Sequence, residues 1–382
     1  MLYCEICGQR MEEQSLPWRC PCGGPLTCDP DAFRYAPDPS LPGLWRYASS
    51  LPVADPKNAV YLGEGMTPLV PAKWDYGTGT AEILCKMDTF NPSGSYKDRG
   101  AAVAISRLRE LGLTKLVEDS SGNAGAAMAA YAAAAGIACD IFVPASASEG
   151  KCVQIAAYGA SLRRIPGPRE AAAAAAEEAA QSDYYASHNW NPYFPEGIKT
   201  YAFELFEQLG DQSPDNLVVP AGQGSLISGA WKGFSEIVAA GRTIKIPRIF
   251  GIQSEHCAPF CHAWNNGDAT TSPFEKKPTI AEGIASAFPV RPSAVLNMVR
   301  GSKGAFVAVK EAEIWAAFEK LAQAGIYVEP TSAAALAGLS RLWEEGAIRP
   351  DECTVVLLSG FGLKATDKIL ELRANPEVLQ RG

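Results

Sequence analysis

The chain has 382 residues, 47% of them hydrophobic and 20% charged, and a formal net charge of -8. That length and composition suit two domains with sizeable cores. The acidic balance argues against nucleic acid and anionic membranes as main partners and leaves a small molecule as the expected one. The opening Met1-Leu2-Tyr3-Cys4 shows no basic n-region and no apolar h-region. Eleven scattered cysteines, an odd number, point to reduced thiols. A cytoplasmic protein is therefore expected. The longest uncharged run, residues 120–139, is rich in Ala and Gly and reads as a buried helix, not a membrane span.

Residues 1–28 read as a separate piece. Cys4-x-x-Cys7 and Cys20-Pro21-Cys22 form two knuckles that together offer four thiolates, and Cys28 stands near as a substitute. Two facing knuckles make a zinc ribbon, although the second is one residue short of the CxxC spacing. The other reading is a vestigial ribbon held by its turns. Residues 29–60 carry Pro37, Pro39, Pro42, Pro52 and Pro56 with the aromatic anchors Trp45 and Tyr47, which predicts an extended connector. A strand is predicted at 81–87 and an Ala-rich helix at 100–111.

From residue 115 strand-like and helix-like runs alternate. Strands are predicted at 115–118, 140–143, 161–165 and 183–186, with helices at 124–136, 150–158 and 169–181, which makes a small parallel α/β domain. A second set follows: strands at 217–220, 248–253, 327–328 and 354–358, and helices within 222–240, at 311–324 and at 332–346. Residues 256–278 give few signals. The expected organisation is a ribbon at 1–28, a large domain from 29–99 and 201–382, and a small domain at 100–200.

Four stretches carry chemistry. NPSGSYKDRG, residues 91–100, places Lys97 at a helix start just beyond a strand end. Open α/β sheets put their ligands there, and the positive end of a helix disfavours a protonated amine, as imine chemistry requires. The plain alternative is a surface Lys-Asp-Arg ion cluster. Ser120-Ser121-Gly122-Asn123 opens the next long helix, either as a cradle of N–H groups for a carboxylate or as an ordinary N-cap by Ser121 or Asn123. Gly222-Gln223-Gly224-Ser225-Leu226 follows an apolar strand and suits a phosphate, without being a Walker loop or a dinucleotide fingerprint. Ser359, at the end of the last strand, offers a hydroxyl to an aromatic ring nitrogen. A lysine for an aldehyde, a loop for its phosphate and a partner for its ring nitrogen are the set that a pyridoxal phosphate enzyme supplies. His188, His256 and His262 read as solvated or core residues, while Arg99 and Lys199 are better anion-binding candidates.

NPSGSYKDRG, SSGNAGAAMAAYAAAAGI, EGIKTYAFEL, VVPAGQGSLISG, GIYVEPTSAAALAGL and LLSGFGLK, taken in order, resemble the threonine synthases, of the fold type II pyridoxal phosphate enzymes. The resemblance runs from about residue 61 to the final helix, and the Cys ribbon is also common in that family. It implies an α/β fold of two open parallel-sheet domains, tryptophan synthase β-like, and often a homodimer. It implies that Lys97 forms the imine with the cofactor and shuttles protons, and that Asn123 contacts the ring oxygen. Gly222, Gln223, Gly224, Ser225 and Leu226 would bind the phosphate, and Ser359 would pair with a neutral pyridine nitrogen. Ser120 and Ser121, with Arg99, would receive the substrate, and Cys4, Cys7, Cys20 and Cys22 would be the zinc ligands. The family converts O-phosphohomoserine and water to threonine and phosphate. Two positions depart from its pattern. Phe361 stands where a histidine is usual, and TIAEGIASA at 279–287 resembles serine/threonine dehydratases. They keep open a β-eliminating or β-replacing enzyme acting on serine, threonine or phosphoserine, such as a dehydratase or a cysteate synthase. The non-enzymatic alternative is a binding protein that kept the fold.

Overall fold

The computed structural model describes residues 1–29, 32–75, 79–120, 122–147, 149–167 and 169–380. Ser121 lies outside the described residues. The chain divides into two compact units, residues 1–66 with 91–200 and residues 67–90 with 201–382. Among the described residues no helix is long and apolar enough to cross a membrane.

The first unit holds two sheets. At its start, strand Leu2–Cys4 pairs antiparallel with Arg10–Met11 on one side and Leu26–Cys28 on the other. This small piece docks by aromatic edges: Trp18 meets Tyr185 at 4.8 Å and Trp190 at 5.7 Å between ring centroids, both nearly perpendicular. Such edge-to-face packing adds about 0.5–1.5 kcal/mol per pair beyond the area buried. Glu13 also accepts from Arg107 of the helix Lys97–Glu110.

The second sheet of this unit is parallel, in the order Ser161–Ile165, Ala138–Pro144, Lys115–Glu118, Tyr184–Tyr185. Its helices are Lys97–Glu110, Asn123–Ala135, Glu149–Ala157 and Arg169–Ala179. The Ala-rich sequence of the first two lets backbones approach closely, so residues 124–132 are buried throughout. The proline-rich connector belongs to this unit as well. Trp45 Nε1–H and the Tyr131 hydroxyl both donate to the buried Glu64 carboxylate, at 3.0 and 2.7 Å. The Val60 N–H donates to Ser106 Oγ at 2.8 Å. These bonds group residues 29–66 with the helices around them instead of with the larger sheet.

The second unit is one six-stranded sheet in the order Ala305–Val309, Arg248–Ser254, Asn216–Pro220, Thr354–Leu358, Thr80–Met87, Leu69–Asp75. All neighbours are parallel except the last pair. Strands buried on both faces read as continuous apolar runs, as Leu217-Val218-Val219 and Val355-Val356-Leu357-Leu358 do. The strand Ala305–Val309 and the helices Thr200–Gln208, Pro259–Asn266, Pro292–Gly301 and Thr366–Ala374 were not expected from the sequence. Tyr327-Val328 is not a strand: Val328 forms only an isolated bridge to Phe361.

One charge lies deep in this unit. Lys86 is fully enclosed in the strand Thr80–Met87, and its Nζ donates to Glu204 at 2.8 Å, the Thr67 carbonyl at 2.8 Å and Gln208 at 2.9 Å. Three acceptors match the three ammonium protons, which is how a buried charge is tolerated. Lys86→Met removes the ammonium that faces the buried Glu204 carboxylate and is expected to cost about 3–5 kcal/mol. Lys86→Met with Glu204→Leu should recover part of that loss. Denaturant unfolding measures both; a single variant as stable as the parent would contradict this account of the pair.

Candidate active site

In the first unit the decapeptide behaves as a turn that launches a helix. The Asp98 carboxylate accepts from the Ser93 N–H at 2.9 Å and the Ser93 hydroxyl at 2.7 Å. Asn91 Oδ1 accepts from the Gly65 N–H at 3.1 Å. The helix then begins at Lys97 itself. Lys97 is half-buried, and its Nζ lies 4.8 Å from the Tyr96 ring centre and 5.6 Å from that of Phe194. Among the described residues no carboxylate or hydroxyl bonds to that amine. It is therefore not the surface ion cluster that the Lys-Asp-Arg sequence allows: Asp98 is spent on Ser93. Arg99, expected at the substrate, is fully enclosed, with Nη1 donating to Thr200 Oγ1 at 3.1 Å. That bond ties its guanidinium to the end of its own unit.

The second loop of this unit leaves the strand Lys115–Glu118. Ser120 is buried and its Oγ accepts from the Gly122 N–H at 3.3 Å. The helix Asn123–Ala135 follows, with Gly122 at its N-cap position, so Asn123 opens the helix instead of standing at the cap. A Cβ on Gly125 would lie 1.8 Å from the Ser120 carbonyl oxygen, so only glycine lets the helix close onto the loop.

Next to this loop lies a pair that the sequence reading left among core and solvated residues. Strands Lys115–Glu118 and Tyr184–Tyr185 run in parallel, so the residues after them emerge side by side. His188 Nδ1 lies 2.9 Å from Glu118 Oε1, and the His188 N–H donates to Glu118 Oε2 at 3.1 Å. Ser187 donates to Asp119 at 2.9 Å. Burial pushes the His188 imidazole well below the usual histidine range, and the Lys97 and Arg169 charges push it the same way. A neutral ring that gives Nδ1–H to Glu118 keeps Nε2 as an acceptor. The available signal was an acid ending one strand and a histidine just past another, with strand pairing needed to join them.

In the second unit two loops emerge from adjacent strands. Asn216–Pro220 pairs on one side with Arg248–Ser254 and on the other with Thr354–Leu358. These strands are parallel, so the loops that follow them leave the same edge of the sheet side by side. Gly222 to Leu226 leave the first of these strands, and Ser359 ends the other. Gly224 holds φ at +84° and caps the helix Ser225–Ala239. Glycine brings no side chain to cap the first-turn N–H groups, which suits an anion there. The Gln223 side chain is directed elsewhere. Its amide donates to Ser286 Oγ at 2.6 Å and accepts from the Val290 N–H at 2.8 Å, clamping the 282–290 segment. Gly283 of that segment donates its N–H to Thr331 at 3.0 Å. Ser359 is buried, with Oγ 3.1 Å from Ser332 Oγ. Phe361 stands edge-on to Tyr327, with centroids 6.1 Å apart.

The ribbon carries a third cluster. The sulfurs of Cys4, Cys7, Cys20 and Cys22 lie within 4.8 Å of one another, with Cys4 to Cys22 at 3.4 Å and Cys7 to Cys20 at 3.7 Å. Burial raises the Cys4 thiol, but the Cys7 and Ile6 N–H groups and the neighbouring sulfurs outweigh it and hold it at about 7. Cys28 is not in the cluster; its thiol faces the Pro192 carbonyl at 3.6 Å.

Comparison with known proteins bears on these features together. A family model described as pyridoxal-phosphate dependent enzyme matches residues 60–360. The threonine synthase of Methanocaldococcus jannaschii is 35% identical, with 98% of this chain and 95% of that protein covered. That of Methanosarcina acetivorans is 36% identical over 88% of this chain and 84% of its own length. Among solved structures, a fungal L-serine ammonia-lyase from Rhizomucor miehei superposes with a TM-score of 0.70 at 24% identity, covering 81% of this chain and 98% of that one, a likeness of fold. The chain belongs to the pyridoxal-phosphate-dependent enzymes and, within them, to the threonine synthase family.

Proposed function

We propose that the protein is a threonine synthase, converting O-phosphohomoserine and water to threonine and phosphate. The observation that carries this reading is likeness to a threonine synthase along essentially the whole chain, Cys ribbon included, at 35% identity. The side chains fit the cofactor: an amine engaged by no carboxylate, a glycine-capped helix start for a phosphate, and a buried hydroxyl for a ring nitrogen. When bound, pyridoxal phosphate supplies an electron sink for carbanions at the substrate's Cα and Cβ.

The residues then take these roles. Lys97 holds the cofactor through Nζ and carries protons to and from the substrate carbons, with the Tyr96 and Phe194 rings limiting where the amine can swing. Asn123 meets the ring oxygen. Gly222 to Leu226 hold the phosphate with main-chain N–H groups and the Ser225 hydroxyl, Gln223 contributing backbone only. Ser120 and Ser121 take the substrate carboxylate. A single observation favours the second reading, β-elimination or β-replacement on serine, threonine or phosphoserine: Phe361 and the 279–287 segment depart from the threonine synthase pattern together. In that case keto acid with ammonia, or a β-substituted amino acid, replaces threonine among the products.

Four sulfurs spaced 3.4–4.8 Å apart also match a tetrahedral zinc, whose Zn–S bonds of about 2.3 Å set S···S near 3.8 Å. We assign Cys4, Cys7, Cys20 and Cys22 as its ligands, in a structural role, since four thiolates leave no open position.

Purified protein offered O-phosphohomoserine is expected to release phosphate and threonine in equal amounts. Keto acid and ammonia from serine or threonine, with no phosphate released, would select the second reading. Lys97→Ala should lose at least about 1,000-fold in turnover and become resistant to borohydride trapping of the cofactor; a variant still trapped covalently would remove Lys97 from its role. Elemental analysis should find one zinc per chain, retained through dialysis and lost in Cys4→Ser with Cys22→Ser. A metal-free wild-type protein of unchanged melting temperature would instead mark the ribbon as vestigial.

A further inference from the structure

The Ser359 hydroxyl has two directions available to it, and which one it takes depends on a second serine. Ser332 sits in the first turn of the helix Pro330–Glu344, completely buried. Its Oγ accepts the Ser359 N–H at 2.9 Å and the Gly360 N–H at 3.0 Å. A hydroxyl has two acceptor lone pairs and one proton. Both lone pairs are therefore taken, and Ser332 can meet Ser359 Oγ, 3.1 Å away, only as a donor. The other acceptor in reach of its proton, the Gly360 carbonyl, is farther, at 3.3 Å, and already accepts the Glu329 N–H at 2.9 Å. On either choice Ser359 cannot give its own proton to Ser332. No acceptor for that proton is present among the described residues, and Ser359 is only 2% exposed.

A buried donor with its proton unclaimed costs free energy unless a ligand takes it. We propose that Ser332 is a positioning residue that holds the Ser359 hydroxyl as a hydrogen-bond donor to the unprotonated ring nitrogen of the cofactor. This rests on the pyridoxal phosphate reading above, and it adds a residue and a direction to it. Neither appears in the 91–100, 120–123 or 222–226 motifs. In sequence Ser332 is only the first residue of the helix expected at 332–346; its partners appear in the fold. The assignment also explains why a hydroxyl at 359 serves where a carboxylate would not. A carboxylate there would accept from Ser332 and then have no proton to give, so the ring nitrogen would have to bring its own.

The experiment uses the full chain loaded with pyridoxal phosphate labelled with 15N in the ring. The wild-type nitrogen resonance is expected in the unprotonated, hydrogen-bonded range. Ser332→Ala should move it toward the value of a ring nitrogen without a bond and weaken cofactor binding about 3–10-fold, the effect of one hydrogen bond. Ser359→Ala should do the same or more. In the double variant Ser332→Ala should add nothing beyond Ser359→Ala, because it acts through that hydroxyl. If Ser332→Ala does not fold, Ser332→Cys, which keeps a weak donor and acceptor, should give a smaller shift in the same direction. A protonated nitrogen in the wild type, an unmoved resonance in both Ser332 variants, or equal Ser332 effects with and without the Ser359 hydroxyl would overturn the proposal. A wild-type chain that takes up no cofactor would instead remove the reading on which it rests.

Discussion

Parallel strands can be joined only by crossovers, and that constraint organises both units. Each crossover returns over a face of its sheet, so the loops that follow parallel strands gather at one edge. In the second unit the ends of Asn216–Pro220, Thr354–Leu358 and Thr80–Met87 are successive neighbours at that edge, with Leu358 paired to Met87. In the first unit Lys115–Glu118 and Tyr184–Tyr185 do the same for the Ser120 loop and His188. Small residues in these loops keep main-chain N–H groups uncovered, and helix starts add a positive end. Chemistry spread widely along the sequence is thereby gathered by strand order alone.

The sheets also carry buried charge, and each case is settled by counting donors and acceptors. Lys86 has three acceptors for three protons. Glu118, whose carboxyl burial and the neighbouring Asp119 push well above the usual range, meets His188 through both oxygens. Glu311 accepts from Ser254, Thr279 and the Ile280 N–H, which pins the segment leading to Gly283. A low-dielectric interior makes each of these pairings strong and each omission expensive. Not every buried polar group is satisfied in this way: Ser95 Oγ, Asn191 Nδ2 and Ser213 Oγ have no partner among the described residues, and the half-buried Lys97 amine and the proton of the enclosed Ser359 hydroxyl join them.

The two departures from the threonine synthase pattern occupy defined places. The 279–287 segment rests on the glycine loop through Gln223 and on the Pro330–Glu344 helix through Thr331. Phe361 packs on Tyr327, and the residues either side of it bond to Glu329 and Tyr327 main-chain groups. Both therefore adjoin elements that frame Ser359 and the 222–226 loop, so a change in either alters the surroundings of those residues without changing them.

Much of this protein was legible before any fold was known. Strands 115–118, 161–165 and 354–358 match the observed bounds, the helix at 124–136 is shifted by one residue, and that at 311–324 runs one residue long. Helix and strand period, glycine placement and the six ordered motifs are local properties, and local sequence encodes them. Helix Pro259–Asn266 and strand Ala305–Val309 escaped notice because their apolar faces are short and make sense only against a partner. What the fold alone decided was where polar side chains spend their bonds. Arg99 reads as a ligand-binding residue and is buried on Thr200, 101 positions away; Gln223 reads as part of a phosphate loop and clamps Ser286, 63 positions away. Ser332 reads only as the first residue of a helix and meets Ser359, 27 positions away. A side chain's periodicity can be read from its neighbours in sequence, but its hydrogen-bond partner is chosen by packing, and packing joins residues that no local window contains.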